Sequence, residues 1–350
     1  MIRKFRTKIN SLHTPSKSVA LPPLIIILLI ICLLLPAACT PTRPVFKIGI
    51  IAPFEGLYRR TGYTALLAMR SALAEYPAPQ VGDMSVELLP LAQNDNHLPD
   101  SARRTAQKML LDQSVQAVIG PFSPATVEAV GQVFESAQLT WVVPFAVNPD
   151  ALSQGEENLF AHLSSTATDT AWASELIQAI ATEAQSQGTQ RLILAGWTPG
   201  WPVWSEDEWS NLLGMAVTLL AQDGSLEETL QANDAVLWLG EPDGGAAFFA
   251  ELRPIGPETP FWMGPQGGDP TFFGRTLVGG PVYWATWGDD GYEEWQTTHE
   301  PATPLSYLVY RATQYAISQA LADEQFVISD SWEVQFYQIA QDGQSSRYNE

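Results

Sequence analysis

The segment 115–150 restricts the possible fold more than any other part of this sequence. It contains two short apolar runs, Val115–Ile119 and 139–143, which are typical of strands buried on both faces of a parallel sheet. Between them, apolar residues recur at helical spacing: Val127, Val130, Val133 and Phe134. A strand, a helix and a second strand within about 35 residues predict a βαβ unit and therefore a parallel sheet.

The same alternation of strand and helix continues on both sides of this segment. Further strands are predicted at Val45–Ala52, 85–92, 160–163, Arg191–Ala195, 235–240, 260–263, 282–286 and 332–340. Helices are predicted at 62–76, 99–112, 169–184, from Ser205 onward, at 246–252 and at 305–322. This order is typical of α/β proteins with right-handed crossovers. The 350 residues are enough for two lobes with separate cores.

The loops that follow the two strands of segment 115–150 carry a distinctive frame. The first is Gly120-Pro121-Phe122-Ser123 and the second ends in Asn148-Pro149-Asp150. This frame resembles the type I periplasmic binding proteins, in particular the branched-chain amino acid receptors of ABC transporters. The resemblance runs from about Val45 to the C-terminus. It implies an α/β protein of two lobes, each a mostly parallel sheet flanked by helices, with a ligand cleft between them like a Venus flytrap.

The resemblance also implies a division of the chain. Residues 1–39 are expected to be a lipoprotein signal peptide and 40–44 a tether. The first lobe is expected to comprise 45–160 with 290–328, and the second lobe 161–289 with 329–350.

The N-terminus has the pattern of an export signal. Its basic residues are followed by the apolar run 24–35, which is short for a membrane span and typical of a signal peptide. The following Leu35-Pro36-Ala37-Ala38-Cys39 resembles a lipoprotein signal and predicts lipidation of Cys39. An uncleaved N-terminal anchor and ordinary secretory cleavage remain alternatives. In each case the body is expected to be extracytoplasmic, and lipidation would anchor it to the cell membrane.

Composition argues against several classes of function. The two cysteines, Cys32 and Cys39, lie in the leader, so the body cannot form a disulfide. The net charge of −20 disfavours nucleic acid as a partner. The sequence also lacks a zinc-type ligand set, a nucleophile elbow and a phosphate loop. We therefore expect no catalytic residue, metal or cofactor, and a protein that is not an enzyme.

Three positions differ from the pattern that binds an amino acid in the receptors. The resemblance implies hydroxyls where this chain has Pro124 and Val147, and a glutamate where Gly264-Pro265-Gln266-Gly267 has Gln266. Pro124 offers neither a hydroxyl nor an N–H group, and Gln266 offers no charge to an ammonium. A buried ammonium without its counter-charge loses about 2–5 kcal/mol, so a zwitterionic α-amino acid is a poor candidate ligand.

Aromatic residues could form the remaining walls of the cleft. The loop after Arg191–Ala195 contains Trp197, Trp201 and Trp204, which suit a neutral, partly apolar, sugar-like or cationic ligand. Packing within the lobe is the alternative for these tryptophans. The full set of predicted ligand-binding residues is Tyr58, Ser123, Ala125, Thr126, Phe145, Ala146, Val147, Trp197, Trp201 and Gln266.

These observations predict a lipid-anchored solute-binding protein that captures a small molecule for an ABC-type importer. Its expected partners are the small-molecule ligand, the membrane permease and the membrane itself. The alternative is a regulatory or structural lipoprotein in which a degenerate type I fold acts through protein contacts.

Overall fold

A computed structural model describes residues 43–77, 79–134, 137, 139–144, 157–158, 171–197, 201, 203–273, 279–300, 302–322, 333–340 and 345–348. The predicted leader with Cys39, the predicted strand 160–163, and the predicted contacts Phe145, Ala146 and Val147 lie outside these residues.

The first half of the body alternates strands and helices. In chain order its elements are β1 (Val45–Ala52), α1 (Arg59–Glu75), β2 (Gln80–Val81), β3 (Met84–Ser85), β4 (Glu87–Asn94), α2 (Pro99–Leu110), β5 (Val115–Ile119), α3 (Pro124–Phe134), β6 (Thr140–Val143) and β7 (Glu157–Asn158).

The second half continues this alternation and ends in two antiparallel strands. Its elements are α4 (Ala171–Ser186), β8 (Arg191–Ala195), α5 (Glu206–Leu213), β9 (Ala216–Leu219), α6 (Leu226–Thr229), β10 (Asp234–Trp238), α7 (Pro242–Ile255), β11 (Phe261–Met263), a 3₁₀ turn (Pro265–Gly268), α8 (Pro270–Phe273), β12 (Val282–Gly288), α9 (Gly291–Gln296), α10 (Pro304–Leu321), β13 (Glu333–Ile339) and β14 (Ser345–Arg347).

The first sheet has the strand order β4-β1-β5-β6-β7, and all of its pairings are parallel. Successive residues of β1 point to opposite faces. Ile50 packs in the same core as Met69 of α1 and Leu308 of α10. Ile51 packs with residues of α2 and α3, including Val127. Helices therefore cover both faces, which explains why the central strands β1 and β5 are largely apolar.

The second sheet has the order β14-β13-β12-β11-β10-β8-β9. The strands from β9 to β12 are parallel, while β13 and β14 pair antiparallel at one edge. On one face, Trp209 of α5 and Trp262 of β11 belong to a core rich in tryptophan. The other face shares a continuous core with the first sheet through residues such as Phe261 and Trp284.

The path of the chain links the two sheets near its C-terminal end. After β12, helix α10 lies against α1, β5 and β6 of the first sheet. Strand β13 then pairs with β12 in the second sheet. None of the helices among the described residues combines the length and apolar character needed to cross a bilayer.

The predicted elements that lie within the described residues are found, with their boundaries shifted by a few residues. Short elements were missed, namely β2, β3, β9, α6, the 3₁₀ turn, α8, α9 and β14. The helix predicted at 246–252 begins earlier, at Pro242, because Pro fits the first turn of a helix. The helix predicted from Ser205 onward is confirmed, and the Ser205 hydroxyl and Glu208 form a capping box at the start of α5.

Candidate functional site

The carboxyl ends of the parallel strands in both sheets surround a cavity of about 40 Å³. Ligands of open α/β sheets bind at such strand ends. The cavity is lined by Pro53, Tyr58, Thr61, His97, Phe122, Ser123, Pro124, Val127, Gly240, Glu241, Pro242, Pro265, Gln266, Asp269 and Leu305. Side chains from the two sides contact each other across it, so the two sides are close together.

The side chain of Tyr58, which directly precedes α1, reaches across the cavity from the side formed by the first sheet to the side formed by the second sheet. Its hydroxyl donates a short hydrogen bond to Asp243 in the first turn of α7. Its ring stacks on His97 with a centroid separation of 3.8 Å. Burial, followed by the bond to Asp243, raises the pKa of Tyr58 above its ordinary value, so the phenol remains a hydrogen-bond donor.

A second bridge joins the start of α1 to the loop after β11. The Thr61 hydroxyl donates to Asp269 Oδ2 over 2.6 Å, and the backbone N–H of Thr271 donates to Asp269 Oδ1 over 2.6 Å. Gly62 lets α1 begin here, because a Cβ at this position would collide with the Pro53 carbonyl oxygen. Burial raises the pKa of the Asp269 carboxyl, since a carboxylate is less stable away from water.

A third bridge joins His97, in the loop after β4, to Glu241. His97 Nε2 lies 3.5 Å from Glu241 Oε2. The loop is held by side-chain bonds to its own backbone, such as the 2.9 Å bond from His97 N–H to Asp95 Oδ1. Asp95 is buried, which raises its pKa, and its Oδ2 atom has no hydrogen-bond partner within the described part of the chain.

The predicted contact Ser123 lines the cavity, but its hydroxyl also caps helix α3. Ser123 Oγ lies 2.9 Å from Thr126 Oγ1 and accepts a 3.4 Å hydrogen bond from Thr126 N–H. Thr126 is fully buried and donates its own hydroxyl to the Ser123 carbonyl. The predicted contact Ala125 is exposed and is not part of the lining. The turn before it needs Gly120, which has a φ of +80°.

Gln266 lines the cavity from the 3₁₀ turn after β11. Its Oε1 atom is buried and has no hydrogen-bond partner among the described residues. A ligand that donates a hydrogen bond would satisfy this acceptor.

Neither Trp197 nor Trp201 is among the residues that line this cavity. Trp201 is 5% exposed and lies in the tryptophan-rich core of the second sheet, and Trp197 packs against that core. The Trp197 ring meets Trp209 edge to face, with 5.8 Å between centroids. Their role in ligand binding stays a prediction.

The structure thus brings three of the predicted residues together at the cavity: Tyr58, Ser123 and Gln266. Sequence reasoning missed the groups that bridge the two sides: Thr61, His97, Glu241, Asp243 and Asp269. One signal could have found them. Each lies within about ten residues after the end of a predicted parallel strand, where ligand sites form.

Part of the chain is similar to a known protein family. Residues 45–213 match the family model described as periplasmic binding protein. No curated protein sequence matches the chain significantly.

Solved structures are similar over most of the chain. A leucine-binding protein from Thermotoga maritima is 16% identical, covers 87% of this chain and 97% of its own, and has a TM-score of 0.64. An ABC transporter substrate-binding protein from Desulfitobacterium hafniense, in complex with leucine, is 16% identical with coverages of 87% and 100% and a TM-score of 0.60. A branched-chain amino acid transporter substrate-binding protein from Streptococcus pneumoniae, in complex with isoleucine, is 11% identical with coverages of 87% and 99% and a TM-score of 0.59. The chain therefore has the type I periplasmic-binding-protein fold and is similar to the substrate-binding proteins of branched-chain amino acid ABC transporters.

Proposed function

We propose that this protein is an extracytoplasmic solute-binding protein that captures a small molecule between two lobes for an ABC-type importer. The observation that carries the proposal is the cavity, which receives polar side chains from the strand ends of both sheets. A ligand held from both sides biases the protein toward a closed state, and a membrane permease would read that state. This function needs no catalytic residue.

The two lobes would be residues 45–160 with 290–328, and residues 161–289 with 329–350. The return of the chain from β12 to α10 and back to β13 supports this division, because it gives separate crossings between the sheets. Tyr58 and Gln266 would contact the ligand, one from each lobe.

The N-terminal leader would attach the protein to the membrane through a lipid on Cys39. The sequence Ala37-Ala38-Cys39 after an apolar run supports this part of the proposal. Mass spectrometry of the purified mature protein should show an acylated N-terminal cysteine, and substitution C39S should release the protein from membranes. A mature N-terminus at another residue would contradict lipidation.

Ligand binding is tested most simply by thermal unfolding of the purified protein. Pools of amino acids, amides, amines, short peptides and sugars are added one at a time. A ligand at 100 times its Kd stabilises the folded state by about 2.7 kcal/mol, which raises the melting temperature measurably. A melting temperature that no pool changes would contradict the solute-binding function.

One observation favours a second candidate, a regulatory or structural protein whose cleft no longer admits a ligand. Three side-chain bridges already connect the two sides: Tyr58 to Asp243, Thr61 to Asp269 and His97 to Glu241. The cavity that remains is about 40 Å³. In this case the protein would co-purify with protein partners, and substitutions in the cavity would leave those contacts unchanged.

A further inference from the structure

We propose that the ligand of this cavity is a small organic cation that carries an amine and no carboxylate. The inference rests on the proposed solute-binding function and specifies the chemical class of the solute.

Apart from a histidine, the charged side chains that line the cavity are all acidic. Glu241 and Asp269 contribute carboxylates from the second-sheet side, and no lysine or arginine occurs among the described lining residues. Asp243 accepts the hydrogen bond of the Tyr58 hydroxyl and adds a further carboxylate close to the cavity. An anionic ligand would meet repulsion here, whereas an ammonium would gain a counter-charge.

Among the described residues, the first-sheet side offers few donors for a ligand carboxylate. The Ser123 hydroxyl and the Thr126 N–H group are bonded to each other at the start of α3. Pro124, between them, has no N–H group. The donors of Tyr58 and Thr61 already face carboxylates of the protein. A zwitterion would therefore find few free donors for its carboxylate among the described residues, and burying a carboxylate without partners is costly.

The remaining groups of the cavity suit a cation with N–H donors. Gln266 Oε1 is a buried acceptor with no partner among the described residues. Tyr58 and Phe122 add aromatic rings to the wall, and aromatic faces attract cations. Asp269 is 7% exposed, so a cation bound beside it would stabilise its ionised form.

Two matched sets of compounds test the charge requirement by calorimetry on the purified protein. Each set has an amino acid, the amine without its carboxylate, and the acid without its amine. The larger set is leucine, 3-methylbutylamine and 4-methylpentanoate, and the smaller is alanine, ethylamine and propionate. We expect an amine to bind at least about tenfold more tightly than its amino acid, and the acids not to bind.

Paired variants locate the site. Substitution E241Q removes one charge while keeping the shape, and we expect it to weaken amine binding about fivefold, since Glu241 is partly exposed. Substitution E251Q makes the same change at an exposed position of α7 and should leave the affinity unchanged. Because E241Q changes no buried group, loss of folding is not expected, and circular dichroism checks it.

The outcomes separate this inference from the function on which it rests. Preferred binding of an amine that E241Q weakens and E251Q does not supports both. Tighter binding of leucine or alanine, or equal effects of the two variants, overturns the cation inference and leaves the solute-binding function standing. Binding of a neutral sugar or peptide from the pools, with no amine bound, also overturns the cation inference and leaves the solute-binding function standing. No binding by any compound overturns both.

Discussion

The two sides of the cavity differ in the hydrogen-bonding groups that they present. The first-sheet side presents donors, the hydroxyls of Tyr58 and Thr61, while the second-sheet side presents the carboxylates of Asp243 and Asp269. Each side therefore satisfies the other while the cavity is narrow. Opening would separate donors from acceptors, so water or a ligand must then replace the lost bonds. This match of donors and acceptors explains why closure of the two sides can be specific even though the cavity is small.

The largest effect on stability is expected when an acceptor is removed from the second-sheet side. Substitution D269A leaves the Thr61 hydroxyl and the Thr271 N–H group without their partner. Each buried unsatisfied donor costs about 1–3 kcal/mol, so we expect the free energy of unfolding to fall by about 3 kcal/mol. Urea unfolding at pH 7 measures it. The matched D269N variant keeps one acceptor oxygen and should lose less, and equal losses for the two variants would contradict this role.

The same residue predicts a pH dependence. Burial raises the pKa of Asp269 in the folded protein above its ordinary value of 3.8, so the folded state binds its proton more tightly than the unfolded state does. The contribution of this group to stability is complete below about pH 4 and is lost as the pH rises through the folded-state pKa. We therefore expect the free energy of unfolding of the wild type, relative to that of D269N, to decrease as the pH rises from about 4 through the folded-state pKa. A difference that grows with pH would show that the pKa is lowered instead.

A smaller effect is expected from the donor side. Substitution Y58F removes the bond to Asp243 but keeps the ring that stacks on His97. Since hydrogen bonds to charged groups contribute about 1.5–3 kcal/mol, we expect a loss of about 1.5 kcal/mol in urea unfolding. Tyr63 is 54% exposed, and Y63F serves as the control with no measurable change. Equal stability of Y58F and wild type would show that this bridge does not hold the two sides together.

The smallest effect on stability is expected from removing a helix cap on either side. Ser123 caps α3 on the first-sheet side and Ser205 caps α5 on the second-sheet side. We expect S123A and S205A each to lower the free energy of unfolding by about 1 kcal/mol, measured by urea unfolding. Ligand affinity should change less than about twofold in both, because a cap hydroxyl is engaged with its helix. A selective loss of affinity in S123A would show that this hydroxyl contacts the ligand.

The sequence predicted the architecture well because the fold depends on patterns that extend over whole elements. The apolar strands β1, β5 and β8 read as buried parallel strands, and each is found at its predicted position. The frame around Gly120 and Ser123 indicated which strand ends face the cavity, and Ser123 lines it. Short elements such as β9 and α6 carry too few residues to show a period.

The site was predicted less completely because it depends on long-range pairing. Thr61 and Asp269 are separated by 208 positions, and no local pattern links them. His97 and its partner Glu241 are likewise far apart in the chain, although each follows a predicted strand. The tryptophans were predicted as ligand walls from their number and loop position. Packing within the lobe was the alternative, and Trp201 lies in the core of the second sheet while Trp197 packs against it. Their role in ligand binding stays a prediction, because local sequence does not specify which way these side chains face.

The most direct test of capture between the two sides is a distance measurement during ligand binding. Spin labels on cysteines introduced at Arg104 of α2 and Glu251 of α7, both exposed, would report the separation of the sides in a protein whose Cys32 and Cys39 are replaced by serine. We expect a broad distribution without ligand that narrows to the short distance when a compound that raises the melting temperature is added. A single distance that no amine, amino acid, amide, peptide or sugar changes would contradict capture by closure.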